Sequence, residues 1–275
     1  TLVMTTEIDQ LAANLAGGLS LDELRRKQAR NPYERRAPRA EEKIEAERRY
    51  WDKVNAQQPE KNRGIRFGRV LEQEMSYDEA RKKFWARMQM RAAEISMLEN
   101  NPEWTWSMDD EFSRNIRNLI KWAINDPTGE LPVHKGLFVF GATGTGKTEI
   151  ITCLARFCEQ YDLSKRFALC SMSAVYDRTR EDKDYMPVQD NLPYDRAFDE
   201  FGRHTGPVMR YGDPLDVNEA IVEARYQRFR NYGQLTHFVA NMAPNDAARV
   251  FSPMVLDRLR HMTTSVHFTG ESRRK

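Results

Sequence analysis

Residues 136–148 read Gly-Leu-Phe-Val-Phe-Gly-Ala-Thr-Gly-Thr-Gly-Lys-Thr, an apolar run that empties into a complete G-x-x-x-x-G-K-T loop. The run has the length and texture of a buried strand, and the residues after it, Glu149 to Tyr161, carry apolar side chains at helical spacing in Ile150, Ile151, Leu154, Ala155 and Phe157. Strand, glycine-rich turn and helix in that order make a phosphate cradle. Gly141, Ala142, Thr143, Gly144, Thr145, Gly146, Lys147 and Thr148 are therefore the candidate nucleotide-binding residues. Backbone N–H groups and the helix N-terminus would face the phosphates, Lys147 would reach the β and γ oxygens, and Thr148 would ligate Mg²⁺.

Fifty residues further on, Ala197-Phe-Asp-Glu-Phe-Gly202 places two carboxylates after a short apolar lead. Asp199 is the candidate Mg²⁺ residue, acting through water, and Glu200 the candidate base for the attacking water. Asp195 and Arg196 interrupt the lead. Between the loop and this pair, Phe167 to Met172 reads as a second strand, and Arg178 to Asp190 reads as surface, too charged for a core. Thr236-His-Phe-Val-Ala240 is a further strand, and Asn241 at its end either positions the lytic water and senses the γ-phosphate or makes an ordinary turn with Pro244. A short helix, Met254 to Arg260, is expected to expose Arg258 and Arg260, either for a bidentate phosphate contact or for surface salt bridges.

Ahead of the loop the texture changes. Ser20-Leu-Asp-Glu23 and Ser76-Tyr-Asp-Glu79 have the form of capping boxes. After the second, Tyr77, Ala80, Phe84, Met88, Ala92, Ile95 and Leu98 make one apolar stripe that must be covered, ended by Asn100-Asn-Pro102. Ala40 to Ala56 is charged on nearly all sides, and Gln57 to Gly68 reads as a joint. A third helix start lies at Ser107-Met-Asp-Asp110, with Trp104 and Trp106 just before it, placed either against a nucleobase or in the core. The expected division is a helical partner-binding region over 1–103 and the nucleotide domain over 104–275.

Charged residues form 31% of the 275-residue chain yet the net charge is only +2, so general nucleic-acid affinity does not follow from the total. Between Leu21 and Val70, fifteen Lys or Arg stand against nine Asp or Glu, a local excess that suits DNA, an acidic partner or a solvated face. Three cysteines without a C-x-x-C pair exclude a disulfide framework or zinc module from the expectation. No apolar stretch approaches transmembrane length and no hydrophobic signal core opens the chain, so a cytoplasmic protein without membrane contact is expected.

Taken in succession, these pieces resemble the AAA+ ATPases of the DnaC/IstB type, helicase loaders and transposition helpers. The carriers of the resemblance are the loop, Phe198-Asp-Glu-Phe-Gly202, the Tyr211-Gly212 to Arg225-Tyr226 segment, Thr236 to Asn241, Leu256-Asp-Arg-Leu-Arg260 and Gly270-Glu-Ser-Arg-Arg274. The resemblance implies an α/β fold of the P-loop NTPase class, a three-layer sandwich on a mostly parallel sheet, preceded by helices. It implies Walker A roles for Lys147 and Thr148, Walker B roles for Asp199 and Glu200, and a sensor 1 role for Asn241. Arg258 is similar to the arginine finger given to a neighbouring subunit. Arg274 is similar to the sensor 2 arginine, with Arg273 the competing register. ATP hydrolysis with Mg²⁺, self-assembly, single-stranded DNA and a replicative helicase are the implied activity, cofactors and partners. A transposition helper with a transposase partner, or a nucleotide-gated adaptor without turnover, are the alternatives.

Overall fold

The computed structural model describes residues 71–242 and 246–269. The helix start at Ser20, the charged segment at Ala40 to Ala56, the joint at Gln57 to Gly68, Pro244 and the terminal Gly270 to Lys275 lie outside the described residues. In chain order the elements are helices α1 (Tyr77–Leu98) and α2 (Asp110–Ala123), strand β1 (Gly136–Gly141), helix α3 (Lys147–Gln160), strand β2 (Ala168–Ser171) and helix α4 (Met172–Glu181). Strands β3 (Arg196–Asp199), β4 (Val208–Arg210) and β5 (Asp213–Leu215), helix α5 (Val217–Tyr232) and strand β6 (Thr236–Ala240) follow. Helices α6 (Ala247–Val250) and α7 (Pro253–Met262) then lead into strand β7 (Thr263–Phe268).

Five strands form one sheet in the order β2-β3-β6-β1-β7, with every pairing parallel. A parallel sheet is buried on both faces, which is why β1 and β6 read as continuous apolar runs. Side chains alternate across it. Leu137, Val139, Ala197 and Val266 join the core beneath α1, α2 and α3. Phe140, Phe198, Phe238 and Ala240 join the core beneath α4, α5 and α7. The result is the expected three-layer sandwich.

The stripe on α1 finds its cover on this core. Ser76 caps the helix, its hydroxyl accepting from the Glu79 N–H at 3.3 Å. Ala80, Phe84, Met88, Ala92 and Ile95 are buried, and Phe84 meets Phe157 of α3 edge to face at 5.4 Å. Only Leu98, at the frayed end, stays exposed. Helix α2 starts two residues later than Ser107 implies: Asp109 is the cap, accepting from the Phe112 N–H at 2.7 Å.

The charged stretch after β2 is not simply surface. Ser171 caps α4, and Val175, Tyr176, Thr179, Tyr185 and Asn191 turn inward while the charges take the outer face. Asp195, an apparent interruption before β3, accepts from the Leu235 N–H at 3.0 Å at the foot of β6. Nearby, buried Arg225 of α5 donates to Thr236 Oγ1 at 2.7 Å and to the carbonyls of Leu192, Tyr194 and Leu235 at 2.9, 2.9 and 2.6 Å. Burial pushes the Asp195 carboxyl up to about 7 and Arg225 down to about 9, and their mutual attraction opposes both shifts. The Arg225 hydrogen bonds fasten α5 to the end of the sheet remote from the phosphate loop. β4 and β5 form an antiparallel hairpin whose Tyr211-Gly212 turn has φ of 52° and 92°, the backbone that a two-residue hairpin loop demands.

Candidate functional site

β1 delivers the chain to the phosphate loop at the carboxyl edge of the sheet. Gly141 is required by a close approach: a Cβ there would stand 2.0 Å from the Phe268 carbonyl oxygen of β7. Gly146 precedes α3 with φ 87° and offers no side-chain cap, which leaves the first-turn N–H groups of α3 for a ligand. Lys147 is 3% exposed. Its ammonium lies folded into the loop, donating to the carbonyls of Gly141 at 3.0 Å and Ala142 at 2.6 Å and to Thr145 Oγ1 at 3.3 Å.

Asp199 ends β3, two strands from β1, with β6 between them. The Thr148 hydroxyl is close enough to its carboxylate to favour the charged form. Burial raises the Asp199 carboxyl above its usual range, opposed by the Glu200 N–H at 2.8 Å and by Thr148. One hydroxyl beside one carboxylate suits Mg²⁺, which keeps several waters and takes its remaining ligands from phosphate oxygens. Among the described residues no group of three His, Cys, Asp or Glu gathers as an all-protein metal cage.

Glu200 follows at φ 57°, in the left-handed region that costs a side-chain-bearing residue of order 1 kcal/mol or more. The kink turns its carboxylate out of the strand line, while the next residue returns to the ladder through the Phe201 N–H to Val239 oxygen bond at 2.9 Å. Ser173 Oγ donates to Glu200 Oε2 at 2.6 Å, Ser171 Oγ lies at 3.4 Å, and Arg203 pairs with Oε1. These contacts, Ser173 first, hold the Glu200 carboxyl below its ordinary value. His204 Nε2 lies 3.0 Å from Ser173 Oγ, and the His204 carbonyl accepts from Asn218 of α5 at 2.8 Å. Ser173, Arg203 and His204 were not legible as site residues, although two serines at the end of a strand beside β3 are a weak signal for the first.

Asn241 leaves β6 exposed and lines the same cleft as Thr143, Gly144, Lys147 and Thr148. The cleft is also lined by Ile95 of α1, by Glu99 just past the end of that helix, and by Trp104 to Ser107. Both tryptophans line the cleft and both pack on the core. Trp106 is a core residue whose Nε1 donates to the Met88 carbonyl at 2.8 Å and whose ring stacks on Phe112. Half-buried Trp104 leans edge-on against it at 5.2 Å and faces the cleft. Glu149, also on the cleft, accepts from Arg91 Nε of α1 at 2.6 Å.

The two arginines expected to be exposed on α7 differ from each other. Arg258, expected to be exposed, is only 18% exposed at its side chain and pairs with Glu223 of α5. Its i,i+3 and i,i+4 geometry on α7 turns it toward α5, while Arg260 is the exposed one. Arg273 and Arg274 lie outside the described residues.

No protein-family model matches the chain, and no curated protein matches it in sequence. Among solved structures it is similar to DnaI, at 16% identity over 62% of this chain and 88% of that one, with a TM-score of 0.48. It is similar to the DnaC helicase loader, at 15% identity over 60% of this chain and 94% of that one, with a TM-score of 0.45. It is also similar to AMPPCP-bound DnaA from Aquifex aeolicus, at 12% identity over 59% of this chain and 48% of that one, with a TM-score of 0.44. By its own sheet order, phosphate loop and paired carboxylates, the chain has the three-layer α/β fold of the P-loop class.

Proposed function

We propose that this protein is an ATPase that serves DNA replication as a helicase loader, binding ATP with Mg²⁺, assembling with itself and gripping single-stranded DNA. The observation that carries the nucleotide reading is the convergence of Lys147, Thr148, Asp199 and Asn241 at the carboxyl ends of three adjacent strands. The succession of motifs from the loop to Leu256-Asp-Arg-Leu-Arg260 supports the loader reading.

ATP would supply the phosphoanhydride, and Mg²⁺ the charge that neutralises its oxygens. Lys147 exchanges its loop carbonyls for phosphate oxygens. Thr148 and Asp199 hold the metal side of the cleft, directly and through water. Glu200, kept ionised by Ser173, would accept a proton from water once Arg203 releases it, and Asn241 would fix that water's position. Trp104 offers a plane for the base, Arg258 serves a neighbouring subunit's nucleotide, and Arg274 completes the site from the terminal segment. Partner choice belongs to the segment ahead of Trp104. Within it, α1 has a second duty as cover for the core.

Phosphate release measured with and without single-stranded DNA, beside capture of purified replicative helicase, tests the reading. ATP-dependent helicase capture with strand-stimulated release is expected. Capture of a transposase instead would favour the transposition helper, and binding without release would favour the adaptor.

A further inference from the structure

Helices α5 and α7 are joined by a ladder of polar rungs. Ser252 Oγ donates to Glu219 Oε1 at 3.3 Å, Arg258 pairs with Glu223, and Tyr226 Oη lies 2.9 Å from His261 Nδ1. The Arg258 guanidinium also lies 5.7 Å from the centre of the Tyr226 ring. On α5 the rungs fall at 219, 223 and 226, one per turn along a single face, so they act as one contact.

The middle rung bears on the proposed role of Arg258. A guanidinium ion-paired through one nitrogen with a carboxylate of its own chain has its charge partly neutralised, and it must leave that pair before it can clamp a phosphate of the next subunit. The same N-terminal turn of α5 that carries the Glu219 rung also touches the hydrolytic machinery, since Asn218 holds the His204 carbonyl and His204 reaches Ser173, the partner of Glu200. Arg225 pins the middle of the same helix to the sheet, so α5 moves as a unit with its own domain.

We propose that Glu223 is a positioning residue that latches Arg258 in cis and so sets the protein concentration at which neighbouring subunits complete one another's sites. The latch rests on the reading of Arg258 as a residue acting in trans. Glu223 is 39% exposed at its side chain, so the pair is partly screened and its opening is a modest cost that a phosphate contact overcomes.

The test is ATP turnover per subunit against the concentration of the full-length protein. In wild type, turnover should rise to a plateau. Glu223→Gln should reach the same plateau at about fivefold lower concentration, the shift expected for losing one partly exposed pair. Glu223→Ala should shift the curve the same way, and Tyr226→Phe, which keeps the ring beside Arg258, should leave it in place. Melting temperature is read on the same samples: a Glu223→Gln curve that is unchanged or moved to higher concentration, whatever the melting temperature does, overturns the latch. Arg258→Ala separates the two ideas. A normal plateau in Arg258→Ala removes the trans reading itself, whereas a lost plateau with an unshifted Glu223→Gln curve removes the latch alone.

Discussion

The Thr148 hydroxyl lies near enough to the Asp199 carboxylate to favour its charged form, which brings the first turn of α3 to the end of β3. In the proposed holo state both turn to the metal, so Asp199→Asn should preserve the fold and lower the Mg²⁺ dependence of nucleotide binding about 10–100-fold. Nucleotide titrations with Mg²⁺ and with EDTA check this. The wild type should differ strongly between the two, the variant little.

Helix α1 is expected to be inseparable from the core. Phe84 is fully buried against Phe157, and Phe84→Ala should cost about 3–5 kcal/mol in denaturant unfolding. A truncated chain beginning at Asn101 uncovers Phe157, Leu154 and Ile151 together, and should lose its cooperative transition along with ATP binding. A fully cooperative melt of that chain would contradict the packing role.

Glu200 is held below the ordinary carboxylate range chiefly by Ser173. Because the base works ionised, the acid limb of kcat should lie below the usual carboxylate range in wild type and move to higher pH in Ser173→Ala. A limb that stays in place would show that Ser173 does not hold the base during turnover.

Glu94 binds Arg87, Arg91 and Arg156, and its pKa falls to about 2, the Arg91 hydrogen bond being the largest cause. The folded value lies below the ordinary glutamate value of 4.5, so the stabilisation is present above pH 4.5 and is lost as pH falls toward 2. Glu94→Gln should therefore lose less stability than wild type between pH 4.5 and 2, a comparison that acid titration followed by circular dichroism makes directly.

What could be read from the sequence was what its chemistry keeps contiguous. Gly141 to Thr148 must be consecutive because successive N–H groups form the cradle, and the β1 and β6 runs must be apolar because the sheet is covered on both faces. The apolar stripe from Ala80 to Ile95 announced a need for cover without naming α3 as the cover. The Glu200 network was hidden because Ser173 lies 27 residues earlier, and only the parallel pairing of β2 with β3 brings it beside Glu200, Arg203 and His204. Asp195 looked like a fault in a strand because its partners, the Leu235 N–H and Arg225, lie thirty or more residues away. Arg258 was expected outside because helical period alone does not reveal that α5 runs beside α7 with Glu223 in reach.

The most direct test of the central claim compares nucleotide affinity and turnover in Lys147→Ala and Glu200→Gln. Lys147 supplies the phosphate's counter-charge, so Lys147→Ala should abolish binding; Glu200 supplies only the base, so Glu200→Gln should bind as wild type and lose turnover by about 10²–10⁴-fold. Wild-type ATP affinity in Lys147→Ala, or undiminished turnover in Glu200→Gln, would contradict the account.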